Sequence, residues 1–366
     1  VKASFPEVVG SFEFDGQFVA AEPYGIGHIH DTYLAFFRAK NGSRRRYILQ
    51  RINHHVFLHP ELLMENIQAV TEYLREKIVA SGGDPRRETL NLVPTVDGDT
   101  FRRVNNGDYW RAYLFVDGAQ TYETAHSLEH VYSAAKAFGT FQRLLEDFPA
   151  DRLHETIPGF HDTRKRYAAF LEAVERDVAD RARLVQPEIA FVSQREAEAS
   201  VLVDLVEQGQ LPERVTHNDT KFNNVMIDDE TGEGICVIDL DTVMPGLSLY
   251  DFGDSIRSGA NPAAEDERDL SRVYVDLEIF DRFVCGYLGA VRDSLTSLEL
   301  DYLPLSAKMM TFECGMRFLT DFLSGDTYFK VHRDSHNLDR ARAQFKLVQD
   351  MEDKMGRMTE IVCRYR

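Results

Sequence analysis

Thr216-His217-Asn218-Asp219-Thr220-Lys221-Phe222-Asn223-Asn224 opens the stretch that decides this chain, and Val237-Ile238-Asp239-Leu240-Asp241 closes it. Reduced to a pattern, it is HxDxxxxN followed by an apolar strand that ends in DxD. Phosphoryl transfer to an alcohol needs a carboxylate that orients the hydroxyl and accepts its proton. It also needs oxygen ligands that hold Mg²⁺ on the phosphates of ATP. Asp219 suits the first task. Asn224 and Asp239 suit the second, Asn224 through a neutral carbonyl where a further charge is unhelpful. Between them, Asn224 to Ile227 reads as a strand, Asp228 to Gly234 as a turn and Ile235 to Ile238 as a strand. Such a hairpin returns Asp239 to the same end as Asn224. A turn rich in helix-capping residues, or a surface acid, would explain either half alone. Both halves in this order and spacing are far more specific.

Outward from this island the two sides of the chain differ. Upstream, Asp31 to Ala39 and Arg45 to Ile52 read as strands around Asn41-Gly42, a hairpin signal. Leu63, Ile67, Val70 and Leu74 fall on one face of a helix over Leu62 to Lys77. Asn91 to Thr95, Thr100 to Val104 and Trp110 to Val116 read as further strands. About five strands and one helix therefore precede Asp117-Gly118. Downstream the pattern is helical: His130 to Phe148, Arg164 to Leu184, Pro187 to Glu207, Glu278 to Ser294, Leu303 to Leu323 and Asn337 to Arg366. The fold class expected is α+β and bilobal. A small β-rich lobe over residues 1–117 would bind nucleotide, and a mainly helical lobe over 118–366 would carry the catalytic loop and the acceptor site. With 366 residues, 43% of them hydrophobic, the chain is long enough to bury a core in each.

Charge narrows the partners. Sixty acidic residues against 42 Lys and Arg give a net charge of −18. That field repels a phosphate backbone and argues against nucleic acid. A bound cation and a few local bases still permit a nucleotide. Cys236, Cys285, Cys314 and Cys363 lie far apart with no CxxC, which predicts reduced thiols rather than a structural metal. No apolar run approaches the ~20 residues that span a bilayer, and Val1 to Gly10 lacks the pattern of a signal peptide. A cytoplasmic protein without a membrane partner is expected.

The island resembles the catalytic loop and metal-binding strand of the aminoglycoside phosphotransferase and choline kinase superfamily, relatives of the protein kinases. More narrowly, the chain is similar to the bacterial N-acetylhexosamine 1-kinases of lacto-N-biose and galacto-N-biose salvage. The segments that carry this likeness include Glu22-Pro23-Tyr24-Gly25-Ile26-Gly27-His28-Ile29, Arg46-Tyr47-Ile48-Leu49-Gln50, Phe160-His161-Asp162-Thr163, Ile238 to Thr242, Asp251 to Arg257, Glu313 to Leu319 and Lys346-Leu347-Val348-Gln349. The resemblance runs from about residue 20 to about residue 355. It implies a protein-kinase-like fold with Asp219 as the base and Asn224 and Asp239 on the metal. It also implies an acetamido-sugar pocket formed by His28, Asp219, Asp239, Thr242, Arg317 and Tyr328. The product would be the sugar 1-phosphate.

Gly25 and Gly27 form a weak version of a phosphate-covering loop. Leu114, Phe115, Val116 and Asp117 are placed to offer backbone hydrogen bonds to adenine. Strand Tyr47 to Arg51 aligns with the kinase strand that carries a nucleotide-binding lysine, but has Gln50 at that position. Either Gln50 or a base from elsewhere must serve, and Glu65 on the next helix is a possible partner or simply a solvated acid. Arg44-Arg45-Arg46 reads as a solvated charge run. Asp251-Phe252-Gly253 spells the kinase metal motif but lies too far beyond Asp219; capping of free N–H groups and bracing of the catalytic loop is the preferred reading. The catalytic loop does not separate a sugar from homoserine, choline, fructosamine or an aminoglycoside as acceptor. A nucleotide-binding pseudokinase is a further alternative. A sulfatase ranks last for want of its nucleophile motif.

Overall fold

The computed structural model describes residues 5–25 and 29–366. Gly27 and His28 lie outside the described residues. The chain opens with a short helix α1 (Phe5–Gly10) and strands β1 (Gln17–Pro23), β2 (Asp31–Arg38) and β3 (Arg44–Ile52). Helices α2 (Pro60–Ala80) and α3 (Pro85–Glu88) follow, then β4 (Arg102–Arg103) and β5 (Tyr109–Leu114). These five strands form one antiparallel sheet in the order β1-β2-β3-β5-β4. The hairpin expected at Asn41-Gly42 forms. Gly42 adopts φ 82°, and the Asn41 side chain accepts hydrogen bonds from the Ser43 N–H and hydroxyl. The segment 91–95 contributes isolated bridges at Leu92 and Thr95 rather than a strand, and 100–104 keeps only β4.

The remainder is helical apart from the catalytic island. Helices α4 (Leu128–Leu144), α5 (Thr163–Arg176), α6 (Gln186–Ser193) and α7 (Val201–Glu207) precede it. Strands β6 (Ala119–Gln120), β8 (Val225–Asp228) and β9 (Gly234–Val237) make one small sheet; β7 (Arg214–Thr216) pairs with β10 (Met244–Gly246) in another. Helices α8 (Ser248–Gly259), α9 (Leu277–Val291), α10 (Ser297–Leu323) and α11 (His336–Tyr365) complete the chain. Two of the expected long helices are shorter or broken. The 164–184 helix stops where Asp177 takes a left-handed conformation, φ 35°. The 187–207 helix is interrupted between α6 and α7. By contrast α10 starts earlier than expected, at a Thr296–Glu299 capping box, and passes through Pro304.

A core of α8 to α11 side chains holds the C-terminal part, and one of β2, β3 and β5 side chains holds the N-terminal sheet. A third core joins them. In it Leu63, Ile67, Val70 and Leu74 of α2 pack with Phe138 and Phe141 of α4 and with Val225 and Val237 of the catalytic hairpin. Asn66, buried on α2, donates to the carbonyls of His154 and Val243 and accepts from the His154 N–H. The nucleotide-side helix is thus fixed to the catalytic side by packing and by a satisfied buried amide.

Candidate active site

The hairpin geometry expected from the sequence is present. Val225 pairs with Val237 in the β8–β9 ladder, and the Ile238 N–H donates to the Asn224 carbonyl at 2.9 Å. Asp239 therefore emerges beside Asn224. The Asn224 amide donates to the Asp219 backbone carbonyl at 2.8 Å, which leaves its side-chain oxygen for a cation. Asn218 and Asp239 both take left-handed backbone conformations, φ 64° and φ 60°. Asx residues tolerate that region, and such outliers gather at functional sites. His217 is fully buried. Its Nε2 donates to the Ile238 carbonyl at 2.8 Å, and its Nδ1 faces the Asp219 N–H at 3.3 Å. That pins the catalytic loop to the metal strand. Phe138 and Phe141, ordinary core in the sequence, flank the His217 ring.

Asp251 braces the loop from the other side. Its carboxylate accepts from the N–H groups of His217 (3.0 Å) and Asn218 (2.7 Å) and from the Gln142 amide (2.8 Å). The donors belong to the loop and to α4, not to the first turn of α8, so Asp251 is a brace and not a helix cap. Ser255, one turn on, donates to the Thr220 carbonyl. Gly253 completes the reason for this motif. A Cβ there would lie 2.5 Å from the Ser306 carbonyl oxygen, so only glycine lets α8 approach α10 this closely.

Asp239 stands differently. It is open to the cleft, yet protein crowds it, and that desolvation raises its pKa; Asp241 and Asp219 raise it further, against smaller opposing effects of Lys221 and His217. A carboxylate raised by neighbouring acids gains most from a cation. Among the described residues no cluster of three or more His, Cys, Asp or Glu is spaced to hold a metal alone. One Asp, one Asn carbonyl and nucleotide phosphates suit Mg²⁺, which keeps few protein ligands. Lys221 Nζ sits 2.9 Å from Asp219 Oδ2. The sequence reading gave this lysine no role, although it lies only two residues beyond the candidate base.

On the acceptor side, α10 presents Glu313 and Arg317 one turn apart, 3.9 Å between Oε1 and Nη1. Glu313 is buried and receives His161 Nδ1 at 3.0 Å; His161 Nε2 bonds the Asn218 carbonyl at 3.2 Å. Burial alone would raise Glu313, but His161 and then Arg317 and Arg166 hold it below its ordinary value. The Arg317 guanidinium lies over the rings of Phe160 and Phe329, 5.2 and 5.6 Å from their centroids. Tyr328 is 65% exposed, and its loop is fixed by Asp321, which accepts from the N–H groups of Thr327, Tyr328 and Phe329. The structure thus links Arg317 and the 160–163 segment to the catalytic loop through Glu313 and His161, while Tyr328 packs edge-on against Phe329, the ring beside Arg317. Thr242 sits at the same loop, its hydroxyl donating to the His217 carbonyl at 2.6 Å.

The nucleotide side departs further from the sequence reading. Gly25 makes a turn at φ 75° with open space around it. The Leu114 N–H bonds the Asn91 carbonyl and the Phe115 N–H bonds the Arg46 carbonyl. Of the N–H groups on the four residues expected at adenine, this leaves those of Val116 and Asp117. Arg46 is not simply solvated: it lies over the Phe115 ring at 4.1 Å and pairs with Asp117. Glu65 pairs with His154 at 2.6 Å at the surface and does not meet Gln50. Gln50 instead accepts from Arg111, a fully buried residue on β5 that the sequence reading passed over. Its only signal there was a charged residue in an apolar strand.

A family model described as "Phosphotransferase enzyme family" (APH) matches residues 22–280. Among solved structures, an aminoglycoside phosphotransferase from Alicyclobacillus acidocaldarius superposes with TM-score 0.62 at 13% identity over 98% of this chain and 96% of that one. A microcompartment-associated aminopropanol kinase gives TM-score 0.59 at 14% identity, covering 98% and 99%. An amicoumacin kinase in complex with AMP-PNP and Ca²⁺ gives TM-score 0.58 at 11% identity, covering 96% and 93%. At these identities the superpositions speak for the fold.

Proposed function

The chain belongs to the APH phosphotransferase family, and from that premise we propose that it transfers the γ-phosphoryl group of ATP to the anomeric hydroxyl of an N-acetylhexosamine, GlcNAc or GalNAc. Residues 1–117 form the nucleotide lobe in this reading and 118–366 the acceptor lobe. The acceptor hydroxyl attacks the γ-phosphorus, the bond to the β,γ-bridging oxygen breaks, and ADP leaves. Asp219 orients the hydroxyl and takes its proton. Asn224 and Asp239 would hold Mg²⁺, which supplies neutralising charge to the phosphates when bound. Lys221 keeps the Asp219 carboxylate in place until the phosphoryl group arrives.

The observation that carries the acceptor class is Arg317, whose guanidinium lies over the rings of Phe160 and Phe329 one turn from Glu313, with Arg166 donating to the Phe160 carbonyl. Guanidiniums so placed disfavour an ammonium group, the feature that the name aminopropanol kinase gives to the substrate of one structural neighbour. They suit a neutral, oxygen-rich ligand, to which arginine offers paired donors and Tyr328 a ring face and a hydroxyl. The link from Arg317 through Glu313 and His161 to Asn218 supports a recognition site next to Asp219. Four free thiols and an ATP requirement fit work in the cytoplasm.

The deciding experiment is ATP consumption with Mg²⁺ against a panel of sugars, choline, homoserine and aminoglycosides. Turnover of GlcNAc or GalNAc to a product with ³¹P–¹H coupling at the anomeric proton is expected. Phosphorus on the 6-hydroxyl, or turnover of amines without sugars, would overturn the acceptor reading and leave the kinase reading standing.

A further inference from the structure

The strand position that carries a phosphate-binding lysine in kinases is Gln50 here, and its cross-strand partner in the β3–β5 ladder is Arg111. Arg111 is 2% exposed. Its Nε and Nη2 donate to Gln50 Oε1 at 2.8 and 2.6 Å. The Gln50 amide is oriented by its own bond to Thr32 Oγ1 at 3.0 Å. Nη2 also donates to Asp241 Oδ2 at 2.8 Å, and Nη1 meets Asp241 Oδ1, so the contact is bidentate. His30 Nε2 bonds the same carboxylate. Because His30 Nδ1 accepts the Asn53 N–H at 3.0 Å, the ring proton facing Asp241 sits on Nε2.

All these partners come from the N-terminal sheet and its connections, while Asp241 comes from the single turn Leu240–Thr242 that follows Asp239. The same turn is held on its other side by the catalytic loop: Thr242 donates to the His217 carbonyl, and the Asn218 amide donates to the Thr242 carbonyl at 2.9 Å. The Arg111 donors go to Gln50 and Asp241, and Nη1 also faces Met64 Sδ of α2 at 3.8 Å, so the guanidinium is arranged to hold a carboxylate and not to wait for a phosphate. Asp239 precedes this turn in a left-handed conformation, φ 60° and ψ 56°, which persists only when its surroundings determine it.

We propose that Arg111 is a positioning residue: through Asp241 it fixes, from the nucleotide side, the angle at which Asp239 meets a nucleotide-bound divalent cation. This rests on the family-level kinase reading and is independent of the acceptor. Protein kinases order their nucleotide site with a lysine–glutamate pair inside the small lobe; here an arginine–aspartate pair instead runs from the N-terminal sheet to the turn that follows Asp239.

The test is calorimetric titration of the full chain with ADP, with and without Mg²⁺, alongside thermal melts. In Arg111→Met, Kd for ADP with Mg²⁺ should rise at least tenfold while Kd for metal-free ADP stays within twofold of the parent. Arg111→Lys, which keeps the charge but not the fork, should recover part of the metal-dependent affinity. Since removing one partner of a buried pair can unfold the chain, the double variant Arg111→Met/Asp241→Leu serves as the second arm. It should melt closer to the parent and still bind Mg²⁺–ADP at least tenfold more weakly. Equal weakening of metal-free and metal-bound ADP would make Arg111 a direct phosphate ligand and overturn the proposal. Parent-like Mg²⁺–ADP affinity in the double variant would reduce Arg111 to a purely structural role and overturn it as well. A parent protein that binds ADP no better with Mg²⁺ than without would instead bring down the kinase reading itself.

Discussion

Asp251 is 2% exposed and accepts hydrogen bonds from three donors, whereas Asp239 opens onto the cleft and has Asp241 and Asp219 as its strongest charged neighbours. Both carboxylates have raised pKa values, and in both desolvation is the largest cause. What separates them is the company each keeps. Asp251 is satisfied by the molecule itself, so its role ends in holding the catalytic loop. Asp239 has unmet demand for positive charge, which a metal-bound nucleotide would supply. The kinase-like spelling Asp251-Phe252-Gly253 sits on the aspartate that has no vacancy.

Both aspartates would serve Asp219. Asp219→Asn should fold and bind Mg²⁺–ATP while losing on the order of 10²–10⁴ in kcat, the usual worth of general-base help. Turnover near the parent's would remove Asp219 from the mechanism and leave the two aspartates with nothing to support.

Asp239→Asn and Asp251→Ala then break the comparison in opposite directions. Asparagine tolerates the left-handed backbone at 239, so that variant should melt at or above the parent temperature, yet be inactive at any Mg²⁺ concentration. Asp251→Ala strands two backbone N–H groups and an amide. By the cost of unsatisfied buried groups, it should lose about 2–4 kcal/mol in denaturant unfolding. Were Asp251→Ala to abolish metal dependence while Asp239→Asn kept it, the two assignments would be exchanged.

Arg317→Ala sharpens the same contrast at the acceptor, where a charge partly satisfied by Glu313 is also meant to meet a ligand. Its kcat/KM for GlcNAc or GalNAc should fall at least tenfold, about 1.4 kcal/mol, with KM for ATP little changed. An equal change in both KM values would point to a general loss of structure.

The smallest effect is one of pH. Because the Asp239 pKa is raised in the folded, metal-free chain, its contribution to stability is greatest in acid and is lost as pH rises through that raised value. On the proposed reading Mg²⁺–ADP binding needs the ionised form, so the gain in Tm on adding saturating Mg²⁺–ADP should grow as pH rises through that raised value. In Asp239→Asn any remaining gain should be flat with pH; a parent-like slope there would assign the titration to another group.

The candidate catalytic unit was legible in the sequence because it is local. Asp219, Asn224 and Asp239 are joined by one loop and one hairpin, and period-2 alternation with a turn suffices to bring the hairpin's ends together. Helix α2 and the β2–β3 hairpin were legible for the same reason. The helix breaks at Asp177 and between α6 and α7 were not, since no Gly or Pro marks them where they fall. Nor was the capping box at Thr296 used, though it stands in the chain as Thr-x-x-Glu. The bonds that span the molecule lay beyond any local reading: Arg111 to Asp241 across 130 positions, His161 to Glu313 across 152, Asn66 to Val243 across 177. Sequence by itself determined the chemistry, because phosphoryl transfer demands particular oxygen donors at a spacing that one backbone segment supplies. The tertiary structure alone decided which of two similar aspartates is free to act and which buried cation stands beside Gln50. Those are matters of which donors and charges surround a group, and folding brings them together from distant parts of the chain.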